Sequence, residues 1–182
     1  MQIKTTRARY GSLSIGLHWL MLLLLVAVYA CIELGEFFPE ESGSRSALKA
    51  WHYMLGLSVF ALVWLRLLVS LVTTAPEITP EPPRWQTLAS RAVQGALYVF
   101  MILMPLAGWL ALSAEGQAIT YFSLQLPALV AANENFAEII GEVHKTGAVV
   151  GYLLIALHAA AALFHHYAVR DNTLRRMLPG RR

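Results

Sequence analysis

The fold is decided by the stretch between Leu13 and Ile32, which reads Leu13-Ser-Ile-Gly-Leu-His-Trp-Leu-Met-Leu-Leu-Leu-Leu-Val-Ala-Val-Tyr-Ala-Cys-Ile32 and contains no Asp, Glu, Lys or Arg. A helix needs about 20 apolar residues to cross the roughly 30 Å hydrocarbon core of a bilayer. The stretch is too long for the short apolar core of a secretory signal. We therefore interpret it as a retained transmembrane helix.

Three further stretches are also apolar, the first of them interrupted by a single charge, Arg66, so the sequence predicts four spans at about 13–34, 50–74, 92–113 and 144–169. Pro105 lies within the third span, where neighbouring helices make a proline tolerable. Four prolines between Ala75 and Pro83 predict an extended connector between the second and third spans. We expect an all-α membrane protein in which residues 1–182 form a single four-transmembrane-helix bundle.

The composition of the whole chain supports this expectation. Of its 182 residues, 57% are hydrophobic and only 14% are charged, whereas a soluble domain carries about 25% charged residues. A net charge of +3 is too small to favour nucleic-acid binding. A single cysteine, Cys31, excludes an intrachain disulfide and a cysteine-based metal site, which leaves metal chemistry to the histidines.

The positions of the charges predict the orientation, because Lys and Arg concentrate in cytoplasmic loops. One side of the four spans carries eleven of the 14 basic residues: Lys4, Arg7, Arg9, Arg66, Arg84, Arg91, Arg170, Arg175, Arg176, Arg181 and Arg182. The other side carries three basic residues and eight of the eleven acids. We therefore expect both termini in the cytoplasm, with loops of about 36–48 and 114–141 outside and a short amphipathic helix near 134–140.

Four of the six histidines lie within the predicted spans or at their mouths, namely His18, His52, His144 and His158. The two on the fourth span are 14 residues apart, which is about 21 Å of helix rise and close to a whole number of turns. They should face the same way at two depths, with His52 level with His144 and His18 level with His158. Paired imidazoles from facing helices suit axial ligation of haem iron, so the pattern predicts two haems in the bundle core.

Small and basic residues near these histidines fit the same interpretation. Gly56, Gly147 and Gly151 lie on or near the faces of the helices that carry the histidines, where a missing side chain makes room for a flat macrocycle. Arg66 is 14 residues beyond His52 and would pair with haem propionates. The alternative for Arg66 is that it extends to the cytoplasmic interface.

The four histidines also fit two alternatives to haem ligation. Each one alone would be a hydrogen-bonded polar residue at a helix interface. Together they would line a divalent-metal transporter, although the span interiors contain no carboxylates to assist.

Several motifs resemble the bacterial cytochrome b561 family of membrane di-haem proteins, and the resemblance covers nearly the whole chain. They are Gly16-Leu-His18-Trp19, Trp51-His52-Tyr-Met-Leu-Gly56, Phe37-Phe38-Pro39 and the histidine pair of the fourth span. The tail from Leu157 to Pro179, with His165-His166-Tyr167 and Asp171-Asn172-Thr173-Leu174, resembles the superoxide oxidase branch of that family.

The resemblance implies two b-type haems with bis-His ligation, one held by His18 and His158 and the other by His52 and His144. It implies an oxidoreductase of the bacterial inner membrane that oxidises superoxide on the periplasmic side and passes the electrons to ubiquinone. The alternative is an electron-transfer or anchor subunit of a larger dehydrogenase or hydrogenase, with a separate redox protein as its partner.

Two groups of residues are candidates for contact with the substrates. The three basic residues outside, Arg45, Lys49 and Lys145, lie near the outer histidine pair and would attract an anion such as superoxide, unless they are ordinary interfacial residues. His165 and His166 would serve a quinone site or its proton supply, since histidine titrates near neutrality. Otherwise they bond interfacial groups.

Overall fold

The structure is a computed structural model that describes residues 9–179. Four helices in that range are long and apolar enough to cross a membrane, with mean hydropathies of 2.0 to 2.4 in their most apolar windows. They are α1 (Ser12–Gly35), α2 (Gly43–Val72), α3 (Arg84–Ala114) and α4 (Glu134–Phe164). The predicted all-α membrane bundle with four spans is confirmed.

Three helices, α2, α3 and α4, begin seven or more residues before the predicted spans. The Ser42 side chain accepts a hydrogen bond from the Arg45 backbone at 3.2 Å, and the Asn133 side chain accepts one from the Phe136 backbone at 2.9 Å. These caps start α2 at Gly43 and α4 at Glu134, while α3 starts directly after Pro83.

The connections are correspondingly shorter than the loops expected at 36–48 and 114–141. Residues 134–140 form the first turns of α4, so the expectation of a separate short helix there was wrong. The segment from Thr73 to Pro83 contains neither helix nor strand, as the prolines predicted.

A small β-hairpin follows α3 and was not predicted. Strands β1 (Ile119–Tyr121) and β2 (Leu124–Leu126) pair in antiparallel fashion, and the turn between them places Phe122 at a positive φ of 52°. The Tyr121 hydroxyl lies 3.1 Å from the Ser58 hydroxyl on α2. The hairpin thereby rests on the side of α2.

The bundle has two ends, which we name by what lies there. The tail end comprises the start of α1, the 73–83 connector and the segment 170–179 after α4. The hairpin end comprises the α1–α2 loop and the segment from Glu115 to Asn133. Asn172 joins the tail to the connector, because its side chain accepts from the Thr79 backbone at 2.9 Å and donates to the Glu77 carbonyl at 3.2 Å.

The helices pack as two antiparallel pairs, α1 with α2 and α3 with α4, and α2 also contacts α3. The buried core lies between α1, α2 and α3, where Met21, Val59, Val63 and Met101 meet. Helix α4 is different, since only 6% of its most apolar window is buried. Its backbone makes few close approaches to α1 or α2, and side chains connect it to α1, as where the Tyr29 hydroxyl donates to the Ala148 carbonyl at 2.8 Å.

Candidate functional site

Two pairs of histidines lie between α4 and the first two helices. The ring centres of His52 on α2 and His144 on α4 are 6.1 Å apart, with the ring planes at 82°. The ring centres of His18 on α1 and His158 on α4 are also 6.1 Å apart, with the planes at 59°. We call these the hairpin-side pair and the tail-side pair.

The hairpin-side pair is held by the main chain. His52 Nδ1 lies 3.0 Å from the carbonyl oxygen of Val28, and His144 Nδ1 lies 3.1 Å from that of Met104. A carbonyl oxygen only accepts, so Nδ1 donates its hydrogen in both rings. Each Nε2 then has a free lone pair, which is the arrangement that metal-ligating histidines use.

The tail-side pair is held by Arg66. The Arg66 Nη2 atom donates to His18 Nδ1 at 3.0 Å, and its Nε atom donates to the Tyr98 hydroxyl at 3.2 Å. Arg66 therefore points into the bundle at the level of this pair, and does not extend to the interface. The sequence predicted that Arg66 faces the histidines, but it did not predict the contact with Tyr98. A single tyrosine in an apolar helix carries no pattern that indicates a functional role.

The spacing within each pair fits a single metal ion between the rings. A metal–nitrogen bond of about 2 Å on each side, together with the size of the two rings, separates the ring centres by about 6 Å. Among residues 9–179 no group of three or more His, Cys, Asp or Glu side chains could hold a metal ion. Two nitrogens alone leave the remaining metal positions to another ligand, as the nitrogens of a porphyrin would fill them.

The three glycines expected beside the histidines have different surroundings. A Cβ atom added to Gly56 would meet nothing within 4 Å. A Cβ atom on Gly147 would overlap Met104, and one on Gly151 would overlap Phe100 and Tyr29. Gly56 thus borders open space, while the other two glycines let side chains of α1 and α3 pack closely against α4.

The three basic residues of the hairpin end are not equivalent. Arg45 pairs with Glu36 at 2.9 Å and also donates to the Phe38 carbonyl at 3.2 Å, which closes the α1–α2 loop. Lys145 pairs with Glu142 at 2.7 Å on the same helix. For Lys49, which is exposed one turn before His52, the described part of the chain offers no ion-pair partner.

His165 and His166 lie at the tail end, where α4 continues as a π-helical turn over His165–Val169. His165 Nδ1 is 2.5 Å from Asp171 Oδ2, and the Asp171 side chain is only 1% exposed. His166 Nδ1 is buried, and no hydrogen-bond partner for it lies within residues 9–179. The sequence analysis did not predict that Asp171 contacts a histidine. A single Asp in an otherwise basic tail could have indicated it.

Comparison with known proteins shows similarity over nearly the full chain. A family model described as prokaryotic cytochrome b561 matches residues 9–180. A protein of Escherichia coli (strain K12) named cytochrome b561 homolog 1 is 36% identical over 174 residues, which is 96% of this chain and 99% of that protein. A Yersinia pestis protein named probable superoxide oxidase CybB is 34% identical over 174 residues, which is 96% of this chain and 98% of that protein. A second E. coli protein, cytochrome b561 homolog 2, is 29% identical over 182 residues, covering 98% of this chain and 95% of that protein.

Proposed function

This chain belongs to the prokaryotic cytochrome b561 family, and from that premise we propose that it is a di-haem cytochrome b that oxidises superoxide at the hairpin end and reduces ubiquinone at the tail end. The family implies haem b, an electron-transfer role and a multi-pass bacterial membrane location. The proposal adds the two bis-His sites, the two substrates and a periplasmic hairpin end with both termini in the cytoplasm.

The observation that carries the proposal is the pairing of the histidines at two depths. One pair joins α4 to α2 and the other joins α4 to α1. Both have the same 6.1 Å separation of ring centres. The backbone of α4 makes few close approaches to α1 and α2, which is the separation that a planar macrocycle between these helices needs. His52 with His144, and His18 with His158, would each hold one haem, which supplies a reversible one-electron carrier when bound.

Arg66 supports a cofactor at the tail-side pair. In this structure its guanidinium donates to His18 Nδ1, so a neutral His18 ring carries its hydrogen on Nε2. For Nε2 to bind a metal, that hydrogen must move to Nδ1, and Arg66 must release the ring. The released guanidinium is then available to a cofactor carboxylate, which it binds through two parallel hydrogen bonds.

Lys49 supports an anionic substrate at the hairpin end. Arg45 and Lys145 are neutralised by Glu36 and Glu142, so the charge of Lys49 contributes the local positive potential near His52. A positive group beside the reacting centre raises the local concentration of an anion such as superoxide. The name of the Yersinia pestis relative, probable superoxide oxidase, is consistent with this assignment.

The tail end supplies what quinone reduction needs. Two superoxide anions give two electrons and two molecules of O₂, and ubiquinone takes up those two electrons with two protons to become ubiquinol. His165 and His166 adjoin the last turn of α4, where α4 meets the tail. Imidazoles can deliver protons at neutral pH.

The test is a haem assay followed by a reaction assay on the purified protein. We expect two b-type haems per chain by pyridine difference spectroscopy, and superoxide-dependent reduction of ubiquinone-1. A colourless protein would overturn the whole proposal. Two haems without superoxide-dependent turnover would retain the cytochrome and favour an electron-transfer subunit of a larger dehydrogenase or hydrogenase, which copurification of a redox partner would identify.

A further inference from the structure

The end of α4 brings two residues together that an α-helix would keep apart. In an α-helix, residues six positions apart point about 120° away from each other around the axis. Here the last turn widens to a π-helix over His165–Val169, and Arg170 adopts a left-handed conformation with a φ of 61°. The backbone N–H of Asp171 then donates to the His165 carbonyl at 3.2 Å, so the Asp171 carboxylate folds back onto the His165 ring. A left-handed residue followed by such a bond is a common way for a helix to end, and here it brings the carboxylate to the ring.

The Asp171 carboxylate is engaged on both oxygens. His165 Nδ1 donates to Oδ2 at 2.5 Å, and the Thr173 backbone N–H donates to Oδ1 at 2.8 Å. Since the carboxylate fixes the hydrogen on Nδ1, Nε2 is the ring atom of His165 that is available to another molecule. A buried carboxylate that orients an imidazole in this way is a recurrent device of proton-transfer sites.

The charge of Asp171 is retained at neutral pH. Burial alone would raise the pKa of its carboxyl, but the hydrogen bonds from His165 and Thr173 outweigh burial and hold that pKa below its ordinary value. The other titratable or charged groups around the pair are His166, Arg176 and Tyr10. The Arg176 guanidinium lies 5.8 Å from the centre of the Tyr10 ring and attracts Asp171 electrostatically.

We propose that Asp171 is a positioning residue that orients His165 and stabilises its protonated form, so that His165 Nε2 donates a proton to the oxygen of the quinone headgroup. This inference rests on the proposed function, which brings the quinone and the electrons to the tail end. It assigns a role to Asp171, and separates the task of His165 from that of His166, whose ring has no such carboxylate partner among the described residues.

The proton step balances as follows. The headgroup oxygen that has gained an electron forms an O–H bond, while the Nε2–H bond of His165 breaks and leaves a neutral imidazole. Asp171 stays ionised and keeps its hydrogen bond from Nδ1 throughout. Water at the tail end then returns a proton to Nε2 before the second electron and second proton complete the quinol.

The decisive variant is Asp171→Asn, which removes the charge and keeps a single oxygen acceptor, so that only one of the bonds from His165 and Thr173 can remain. We expect kcat for ubiquinone-1 reduction to fall about tenfold or more, with the KM and the equilibrium binding of oxidised ubiquinone-1 unchanged. Haem content and the thermal unfolding midpoint should stay as in the unaltered protein.

The matched control is Asn172→Ala, which removes the tail's bonds to the connector but leaves the His165–Asp171 contact intact. It should keep the normal kcat. If Asp171→Asn folds poorly, Asp171→Glu serves instead. It retains the charge, so a tenfold loss of kcat in that variant contradicts the inference.

The outcomes separate the inference from the proposed function. If His165→Gln loses quinone reduction while Asp171→Asn keeps its kcat, the role of Asp171 is overturned and the quinone site is retained. If His165→Gln reduces ubiquinone-1 normally, the quinone site at the tail end is itself wrong.

Discussion

His52 and His144 each fix their ring by a bond from Nδ1 to a main-chain carbonyl, and those carbonyls belong to α1 and α3. All four helices therefore contribute to this one pair. At the tail-side pair the corresponding contact of His18 comes from a side chain, that of Arg66. The hairpin-side pair is consequently set by the backbone and the tail-side pair by a residue that can move.

We predict that His52→Ala or His144→Ala removes one haem and leaves the other. The two pairs lie at different depths and share no residue, so losing one ligand should spare the other site. The measurement is haem per chain by difference spectroscopy. The control is His166→Ala, which belongs to neither pair and should retain two haems, and loss of both haems from folded His52→Ala protein would contradict separate sites.

A second prediction at this scale concerns Lys49 and Lys145. Lys49→Gln should lower the rate constant for haem reduction by superoxide by up to about tenfold at low ionic strength. Lys145→Gln removes a charge already paired with Glu142, on a side chain that is 75% exposed, and should change the rate little. Stopped-flow measurements at several salt concentrations test this, and equal effects of the two substitutions would refute it.

At the scale of helices, the glycines of α4 serve close packing as much as any cofactor. Gly147 and Gly151 face Met104, Phe100 and Tyr29, so α1 and α3 are drawn onto α4 at these two points. Gly56 on α2 borders open space and has no comparable neighbour within 4 Å.

We predict that Gly151→Ala destabilises the protein by about 1–3 kcal/mol, because the new methyl group overlaps two aromatic side chains. Gly95→Ala on α3 should not destabilise the bundle, because the added methyl group meets nothing within 4 Å. The difference is measured as the thermal unfolding midpoint of the two variants in detergent, at matched haem content. A stable Gly151→Ala protein would mean that Phe100 and Tyr29 can move aside.

The elements also show what the sequence could and could not predict. The hydropathy of four stretches predicts the bundle. The 14-residue spacing of His144 and His158, combined with the helix repeat, predicts the two histidine pairs. The starts of α2 and α4 were not predicted, because their first turns are polar and lie before the apolar windows. The β-hairpin has strands of three residues, too short for a periodic pattern. The contact between His165 and Asp171 depends on a π-turn and a left-handed Arg170, and the periodicity of the sequence predicts neither of them.

At the scale of the whole molecule, the segment 170–179 ties the tail end together. Trp19 Nε1 donates to the Met177 carbonyl at 2.8 Å, directly beside His18, and the Tyr10 backbone donates to the Arg176 carbonyl at 3.3 Å. The buried Arg176 guanidinium donates to the Pro76 carbonyl and lies over the Tyr10 ring. The tail thus connects the start of α1 to the connector between α2 and α3.

We predict that Arg176→Gln destabilises the protein by about 1–3 kcal/mol, since it leaves a carbonyl unpaired inside the tail end. The exposed neighbour Arg175 provides the matched control, because Arg175→Gln removes the same charge without these contacts. Thermal unfolding and the rate of proteolysis of the tail measure the effect. Equal behaviour of the two variants would show that the contacts of Arg176 are dispensable.

The orientation in the membrane is open to a direct test, because Cys31 is the single cysteine of the chain. In a Cys31→Ser background, Glu41→Cys should react with a membrane-impermeant maleimide in spheroplasts, while Glu81→Cys should react only after lysis. Labelling in the reverse order would place the hairpin end in the cytoplasm.

The few backbone approaches between α4 and the first two helices have a consequence for the lifetime of the protein in the cell. Where imidazoles from both sides hold one cofactor, the free energy of cofactor binding adds to direct contacts, such as that of Tyr29 with Ala148, in keeping the two helix pairs together. Chains made when haem is scarce should be loosely joined and open to membrane proteases. The abundance of the folded protein is therefore expected to follow the supply of iron and haem, even at a constant rate of synthesis.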